Sequence, residues 1–225
     1  MFDSISSSYD RLNRILSGFQ DVRWRKQAVG MLQHYKNKKP VVMDLASGSG
    51  DLGKEFLKLR PRLLYSVDIS EEMLKICRKK INSEINKIII AESSDLPFEN
   101  EHIDICGVSF GIRNFCNLDD SLDEIRRVLK PRGVFLTIEF FKTENINLKH
   151  RLFNLYFKKI IPSLGNKLSG STYAYNYLFD SVNEFVTVNE YCRLLGEKGF
   201  SVRKVKNNFL DFVYTVYAEK NSFAC

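Results

Sequence analysis

Residues 40–53 read Pro-Val-Val-Met-Asp-Leu-Ala-Ser-Gly-Ser-Gly-Asp-Leu-Gly, and the rest of the chain is interpreted from this stretch. Val41, Val42 and Met43 form a short apolar run rich in β-branched residues, the composition of a strand buried on both faces. Asp44 closes that strand, and Gly48 and Gly50 follow in a turn of small residues. From Asp51 onward Leu52, Glu55, Phe56 and Leu59 recur at helical spacing. A strand, a glycine turn and a helix N-terminus together aim backbone N–H groups and a helix dipole at one point in space, which makes a ligand site. Glycine at the turn lets the ligand approach the backbone.

Two ligands compete for the turn. Gly48-Ser49-Gly50-Asp51-Leu52-Gly53 matches the dinucleotide pattern G-x-G-x-x-G, and Asp68 follows at about the 20-residue distance that pattern expects. Asp44, four residues before Gly48, also gives the stretch a resemblance to motif I of S-adenosylmethionine-dependent methyltransferases. Charge separates the two. A dinucleotide brings an anionic pyrophosphate, which Asp44 and Asp51 would repel by about 1 kcal/mol or more each. S-adenosylmethionine has no phosphate and carries a sulfonium and an ammonium, so the acids favour the methyl donor.

Working outward, strands alternate with helices. Leu63–Val67, closed by Asp68, reads as the second strand, and Ser70 caps a helix running to about Lys80. Ile88–Ile90 is the third strand, 96–101 a turn, and Ile103–Phe110 the fourth strand. Leu118–Leu129 is helical until Pro131, and Gly133–Glu139 is the fifth strand. This order predicts an α/β fold with a doubly wound, mostly parallel sheet. Phe200–Val205 and Phe212–Ala218 alternate like antiparallel strands that finish a seven-stranded sheet, after a helix over 188–198. The whole chain, 1–225, reads as one domain. Residues 1–39 form an N-terminal helical lid, 40–141 the ligand-binding core, 142–186 a helical cap insertion and 187–225 the completion of the sheet.

Composition bounds the function. At 225 residues, with 44% hydrophobic and 27% charged residues, the chain suits a globular domain. No apolar run approaches the length of a transmembrane helix, and the acidic N-terminus is not a secretory signal. Five cysteines, at 77, 106, 116, 192 and 225, and three histidines, at 34, 102 and 150, share no metal-ligand spacing. The expectation is reduced thiols in a cytoplasm and no metal. The net charge is +7, but Lys149, Arg151, Lys158, Lys159 and Lys167 supply +5 of it inside the acid-free stretch between Glu144 and Asp180. Interleaved there are Leu152, Phe153, Leu155, Tyr156, Phe157, Ile160 and Ile161, a pattern suited to an anionic bilayer surface and equally to a packed cap with solvated lysines.

Asp68, at the tip of the second strand, stands where α/β nucleotide binders hold ribose hydroxyls. Glu92-Ser93-Ser94-Asp95, at the tip of the third, faces the same crevice and suits an adenine edge. Ser109-Phe110-Gly111-Ile112-Arg113-Asn114, at the end of the fourth, makes Arg113 and Asn114 candidate substrate contacts.

Nearly the full length resembles the ubiquinone/menaquinone biosynthesis C-methyltransferase family. The resemblance is carried by Tyr9-Asp10 with Asn13, Trp24-Arg25, the Asp44–Asp51 loop, Asp68-Ile-Ser-Glu-Glu-Met-Leu, Leu96-Pro-Phe, Phe110-Gly-Ile-Arg-Asn, Arg127-Val-Leu-Lys-Pro, Glu139-Phe, and Tyr177-Leu with Ser181-Val. It implies a Rossmann-like class I methyltransferase that moves a methyl group from S-adenosyl-L-methionine to a ring carbon of a prenylated benzoquinol or naphthoquinol, leaving S-adenosylhomocysteine. Carried over by position, Ser49, Asp68, Glu92, Ser93 and Ser109 contact the donor beside the Asp44, Gly48 and Gly50 loop. On this reading Arg113 and Asn114 hold and polarise the quinol oxygen, Tyr9 or Asp10 closes the pocket, and water is the proton acceptor.

The implied partners are the prenylated quinol and a transient anionic membrane surface, with the enzyme cytoplasmic or peripheral to the inner membrane face. A homodimer and a quinone-biosynthesis complex both stay open, and no nucleic acid is expected. Ser49 stands where the family usually has threonine, and Pro131-Arg132-Gly133 replaces Pro-Gly-Gly, so a turn that wants positive φ must tolerate arginine. Asn207–Ala218 lacks the usual glycine-containing, histidine-bearing ending. Two other classes compete. A nucleic-acid methyltransferase is permitted by the pI of 9.1, though neither Asp/Asn-Pro-Pro-Tyr nor Pro-Cys follows the fourth strand. A non-catalytic scaffold could keep the same pocket.

Overall fold

The computed structural model describes residue 14, residues 17–143 and residues 180–222. Seven strands form one sheet: β1 (Val41–Leu45), β2 (Leu63–Asp68), β3 (Asn86–Ile90), β4 (Ile103–Ser109), β5 (Leu129–Phe140), β6 (Phe200–Phe209) and β7 (Val213–Lys220). Their order is β3-β2-β1-β4-β5-β7-β6. The first five run parallel, and β7 runs antiparallel to both of its neighbours. The chain builds outward from β1 to β3 and then returns to the other side of β1 to lay down β4. The carboxyl ends of β1 and β4 therefore flank the switch point where such sheets bind ligands.

Burial explains why β1 is central. All five of its residues are buried, because both of its faces are covered. Val41, Met43 and Leu45 pack with Leu122, Ile125, Tyr191 and Leu195 on one side. Val42 packs with Ala28, Leu32, Phe56 and Leu59 on the other. Among the described residues the α-helices that flank the sheet are α1 (Gln20–Gly30), α2 (Asp51–Phe56), α3 (Glu71–Lys80), α4 (Leu118–Val128) and α5 (Val188–Glu197). Local chemistry starts three of them. Ser70 accepts from the Met73 N–H at 3.2 Å, Asn117 accepts from Asp120 at 3.3 Å, and Thr187 with Glu190 forms a reciprocal capping box.

The strand boundaries differ from the sequence expectation in two places. β5 begins at Leu129, not Gly133, because the chain passes from α4 straight into the strand. Its pairing with β4 jumps from Ile103↔Leu129 to Ile105↔Val134, so Lys130–Gly133 bulges out. Arg132 sits in that bulge at φ +60°, the left-handed conformation that the Pro-Arg-Gly departure implied. β6 and β7 are longer than expected because they are joined through Leu210 and Asp211, both at positive φ, without the Asn-Gly signal that usually marks such turns.

Of the N-terminal helical segment, α1 and Arg14 are described. Phe2, Ile5, Tyr9, Asp10 and Leu12 lie outside the described residues. So does 144–179, which holds most of the expected cap and its basic stretch. On either side of that stretch Lys142 and Thr187 form a parallel bridge, so the chain leaves the sheet and rejoins it at one place.

Candidate active site

The cleft lies over the tips of β1–β4. Its donor half is built by the chain around itself. Three residues of the turn after β1 have positive φ: Ala46 at +51°, Gly48 at +51° and Gly50 at +85°. At Gly50 a Cβ would lie 2.6 Å from Cys77 Sγ, so the turn can press against α3 only with glycine there. Gly50 thus shapes the turn from behind, while Gly48 and Ser49 line the cleft.

Two carboxylates brace the turn. Asp68 accepts from the Gly48 N–H at 2.8 Å with one oxygen and from the Ser70 N–H at 2.9 Å with the other. Asp44 lies beneath the loop, 1% exposed, and accepts from the Gly53 N–H at 2.7 Å. Burial pushes the Asp44 carboxyl up to about 7, against the pull of the Gly53 N–H and the Arg25 charge. Lys80 donates to the Ser49 hydroxyl at 2.8 Å and pairs with Asp51. Glu92 and Ser93 line the far end of the cleft, where Ser93 shares a 2.8 Å hydrogen bond with Ser121. The Ser47 hydroxyl also lines the cleft and is buried with no hydrogen-bond partner among the described residues.

The acceptor half is made by Phe110, Gly111, the single 3-10 turn Ile112–Asn114, Phe115 and Cys116. Gly111 packs so closely on the donor loop that a Cβ would stand 2.7 Å from the Ala46 Cβ. The two halves are thereby locked together. Asn114 lines this half and Arg113 does not. The Arg113 guanidinium instead pairs with Glu139 at 2.5 Å, donates to the Phe110 carbonyl at 3.3 Å and reaches the Ser181 hydroxyl at 3.3 Å. Glu139 is fully buried, and burial pushes its carboxyl up while Arg113 opposes that. The pair fixes the turn that carries Asn114.

Sequence reasoning placed Asp44, Gly48, Ser49, Asp68, Glu92, Ser93, Ser109 and Asn114 on one site, and all eight line the same cleft. Tyr9 and Asp10 lie outside the described residues. Sequence reasoning missed Ser47, Glu139 as the anchor of Arg113, and Arg25. Arg25 is 5% exposed, lines the cleft, donates from Nε to the Ser109 hydroxyl at 3.0 Å and stacks over the Phe110 ring at 5.3 Å. A signal for it existed. Asp21 and Arg25 stand four apart on the same helical face as Trp24 and Ala28, which puts a charge pair where a core residue is expected.

The model of the ubiE/COQ5 methyltransferase family matches residues 1–218. The chain belongs to that family. A demethylmenaquinone methyltransferase of Thermotoga maritima is 34% identical over 203 residues, 90% of this chain and 87% of that protein. The ubiquinone/menaquinone biosynthesis C-methyltransferase of a Campylobacter jejuni strain is 33% identical over 214 residues, 92% and 90% of the two chains. The crystal structure of a SAM-dependent methyltransferase from Aquifex aeolicus shares the fold at a TM-score of 0.57 and 17% identity, covering 80% of this chain and 82% of that one. The protein is therefore a methyltransferase, and S-adenosylmethionine is its methyl donor. The donor half fits that ligand. It offers a carboxylate at the tip of β2, an acid beneath the loop and a buried hydroxyl left for a ligand. Among the described residues no group of histidines, cysteines and acids could hold a metal ion.

Proposed function

We propose that this enzyme methylates a ring carbon of a prenylated quinol in menaquinone or ubiquinone biosynthesis, with demethylmenaquinol as the first acceptor to test. The observation that carries the proposal is family membership over nearly the whole chain, joined to a cleft whose acceptor half is aromatic with a single amide. The bound donor supplies an electrophilic methyl group on a sulfonium.

The protein's own residues do the rest. Asp68 takes the ribose hydroxyls, and Glu92 and Ser93 face the adenine end. Phe110 and Phe115 flank a flat ring. Asn114 presents an amide to the quinol oxygen, whose loss of a proton pushes electron density onto the neighbouring carbon. Arg113 is a positioning residue: bonded to Glu139, Phe110 and Ser181, it holds the turn that aims Asn114, which is mostly a matter of orientation.

Labelled S-adenosylmethionine offered with short-tailed demethylmenaquinol, and separately with the matching benzoquinol, under reducing conditions tests the acceptor. Label on the naphthoquinol supports demethylmenaquinol as a substrate, and label on the benzoquinol alone would reassign the acceptor to the ubiquinone branch.

A prenylated acceptor resides in a bilayer, yet among the described residues no helix is long and apolar enough to cross one. A second feature supports contact with an anionic bilayer surface. Val22, Arg23 and Lys26 form the exposed stripe of α1, opposite its buried face, and the exposed Phe19 precedes the helix. Beside it on β6 stands Lys206, bonded to Gln27 at 2.5 Å, with Lys204 and the exposed Val205 as its neighbours. Burial lowers the Lys206 pKa, and Lys204 and Arg23 add to that, the mark of cations gathered in one place. Trp24, on the inner face of the same helix, packs on Phe110 of the cleft at 6.2 Å. Co-flotation with phosphatidylglycerol vesicles, lost in an Arg23→Glu/Lys26→Glu variant, is expected. Equal flotation of that variant would remove the surface from the account.

A further inference from the structure

The acceptor half of the cleft ends on a thiol. Cys116 follows closely on the turn that carries Asn114, lines the cleft and is exposed. Its neighbours fix where it stands. The Phe115 N–H donates to the Ile112 carbonyl at 3.2 Å. Asn117, which caps α4, accepts from the Asp120 N–H at 3.3 Å and, at its carbonyl, from the Ser121 hydroxyl at 2.6 Å. Among the described residues the other cysteines are withdrawn from reaction. Cys77 and Cys106 are fully buried and Cys192 is half-buried. Burial raises the pKa of all three thiols and so lowers the thiolate fraction that attacks an electrophile.

A thiol beside a cleft marks a site only where the cleft takes a ligand, and a second group points to one. Ser47 is more than nine-tenths buried and lines the same cleft, and its hydroxyl has no hydrogen-bond partner among the described residues. Its hydrogen bond is left for a bound molecule. Phe110 and Phe115 line the cleft on the side of Cys116, a surface for a flat ring. The acceptor's redox chemistry then gives the thiol a reagent. A quinol supplies electrons from the open ring carbon that takes the methyl group. Its oxidised form keeps the flat ring and the open carbon, but that carbon accepts electrons from a nucleophile.

We propose that Cys116 is a covalent modification site for the oxidised acceptor, a para-quinone with an unsubstituted ring carbon, and that the adduct blocks the acceptor half. The Cys116 thiol gives its proton to water, and its sulfur pair forms a bond to the open ring carbon. The ring C=C pair moves onto the carbonyl oxygen, which takes up a proton. Loss of the proton from the attacked carbon then restores the aromatic ring. In sum one S–H and one C–H bond are exchanged for one S–C and two O–H bonds. The quinone becomes a quinol thioether, and no further oxidant or reductant takes part. Methyl transfer would thus stop where the acceptor pool is oxidised. The inference rests on the quinol reading of the acceptor half and holds for either ring type.

The full chain is incubated without oxygen with 2-prenyl-1,4-naphthoquinone, and adducts are located by intact mass and peptide mapping. The expected product carries one whole quinone on Cys116. Its rate should saturate with quinone concentration and exceed that at Cys192 by about tenfold or more, because binding precedes attack. The analogue with a methyl group on the open carbon should form no adduct and should slow the labelling. Activity is compared for each protein with its own untreated value. Wild type should lose methyl transfer in proportion to the adduct, and Cys116→Ser should keep its own rate. Cys116 left unlabelled by the quinone, a rate linear in quinone and no faster than at Cys192, or an adduct that leaves transfer intact overturns the proposal. Wild type that methylates demethylmenaquinol but forms no adduct loses this inference alone. Wild type that neither methylates a quinol of either ring type nor forms the adduct loses the acceptor reading with it.

Discussion

The two halves of the cleft are built in opposite ways. The donor half closes on itself through short-range backbone contacts: Asp44 reaches a residue nine positions on, and Asp68 one 20 positions back. The acceptor half hangs on side chains far apart in sequence, with Arg113 spanning 26 residues to Glu139 and 68 to Ser181. Arg25 spans 84 to reach Ser109, where the halves meet. A site made of backbone and local acids tolerates change around it and depends on a few atoms. A site held by a buried ion pair depends on the fold being right.

The sharpest way to break this comparison is at Glu139. Glu139→Ala leaves the Arg113 charge buried without its carboxylate, a loss of about 3–5 kcal/mol of stability, read as a lower urea midpoint. Protein that remains folded is expected to bind S-adenosylmethionine near wild-type strength, because the donor half does not use the pair. Weakened donor binding at unchanged stability would mean the halves are not separable.

Next in size is Asp68→Asn. It removes the negative charge from the ribose contact and keeps an oxygen for the Gly48 N–H while turning an NH2 toward the Ser70 N–H, so donor affinity should fall by about 2–3 kcal/mol and stability by about 1 kcal/mol. Titration calorimetry measures the first and a thermal melt the second.

The third prediction concerns pH. Asp44 titrates at about 7 in the unliganded protein, and a cationic ligand favours its ionised form. Donor affinity should therefore be constant above about pH 8 and weaken by up to about 1.4 kcal/mol for each unit below 7. Asp44→Asn should flatten that dependence, and a wild-type profile that is already flat would separate Asp44 from the ligand.

The smallest effect belongs outside the cleft. Arg132→Gly relieves a left-handed φ of +60° and gives up an exposed hydrogen bond to Ser222. The net change expected is within about 1 kcal/mol, with donor affinity untouched. A change in donor affinity would show that the bulge between α4 and β5 communicates with the cleft.

The same contrast explains what the sequence made legible. The sheet could be read because a strand buried on both faces is a continuous apolar run, as at Val41–Met43 and Ile88–Ile90. The donor residues could be read because a turn, its glycines and its acids are neighbours along the chain. The end of β6 and the start of β5 could not, because a turn through Leu210 and Asp211 and a strand running through Pro131 both go against local propensity and are held by tertiary pairing. The same blindness applied to Arg113. Its place beside Asn114 in the sequence suggested two hands on one substrate, but a 3-10 turn sends adjacent side chains in different directions, and Glu139 captures the arginine. Arg25 was visible as part of a pattern but not as part of a site, since only folding brings α1 to the tip of β4.

The division of labour is tested most directly by single-turnover transfer from pre-bound, methyl-labelled S-adenosylmethionine to demethylmenaquinol, comparing wild type with Asn114→Ala. The account predicts unchanged donor affinity in the variant and label appearing on the ring about tenfold to a hundredfold more slowly, the loss of one hydrogen bond to developing charge. Transfer at the wild-type rate in Asn114→Ala, or no label on the ring from wild-type protein with donor bound, would contradict it.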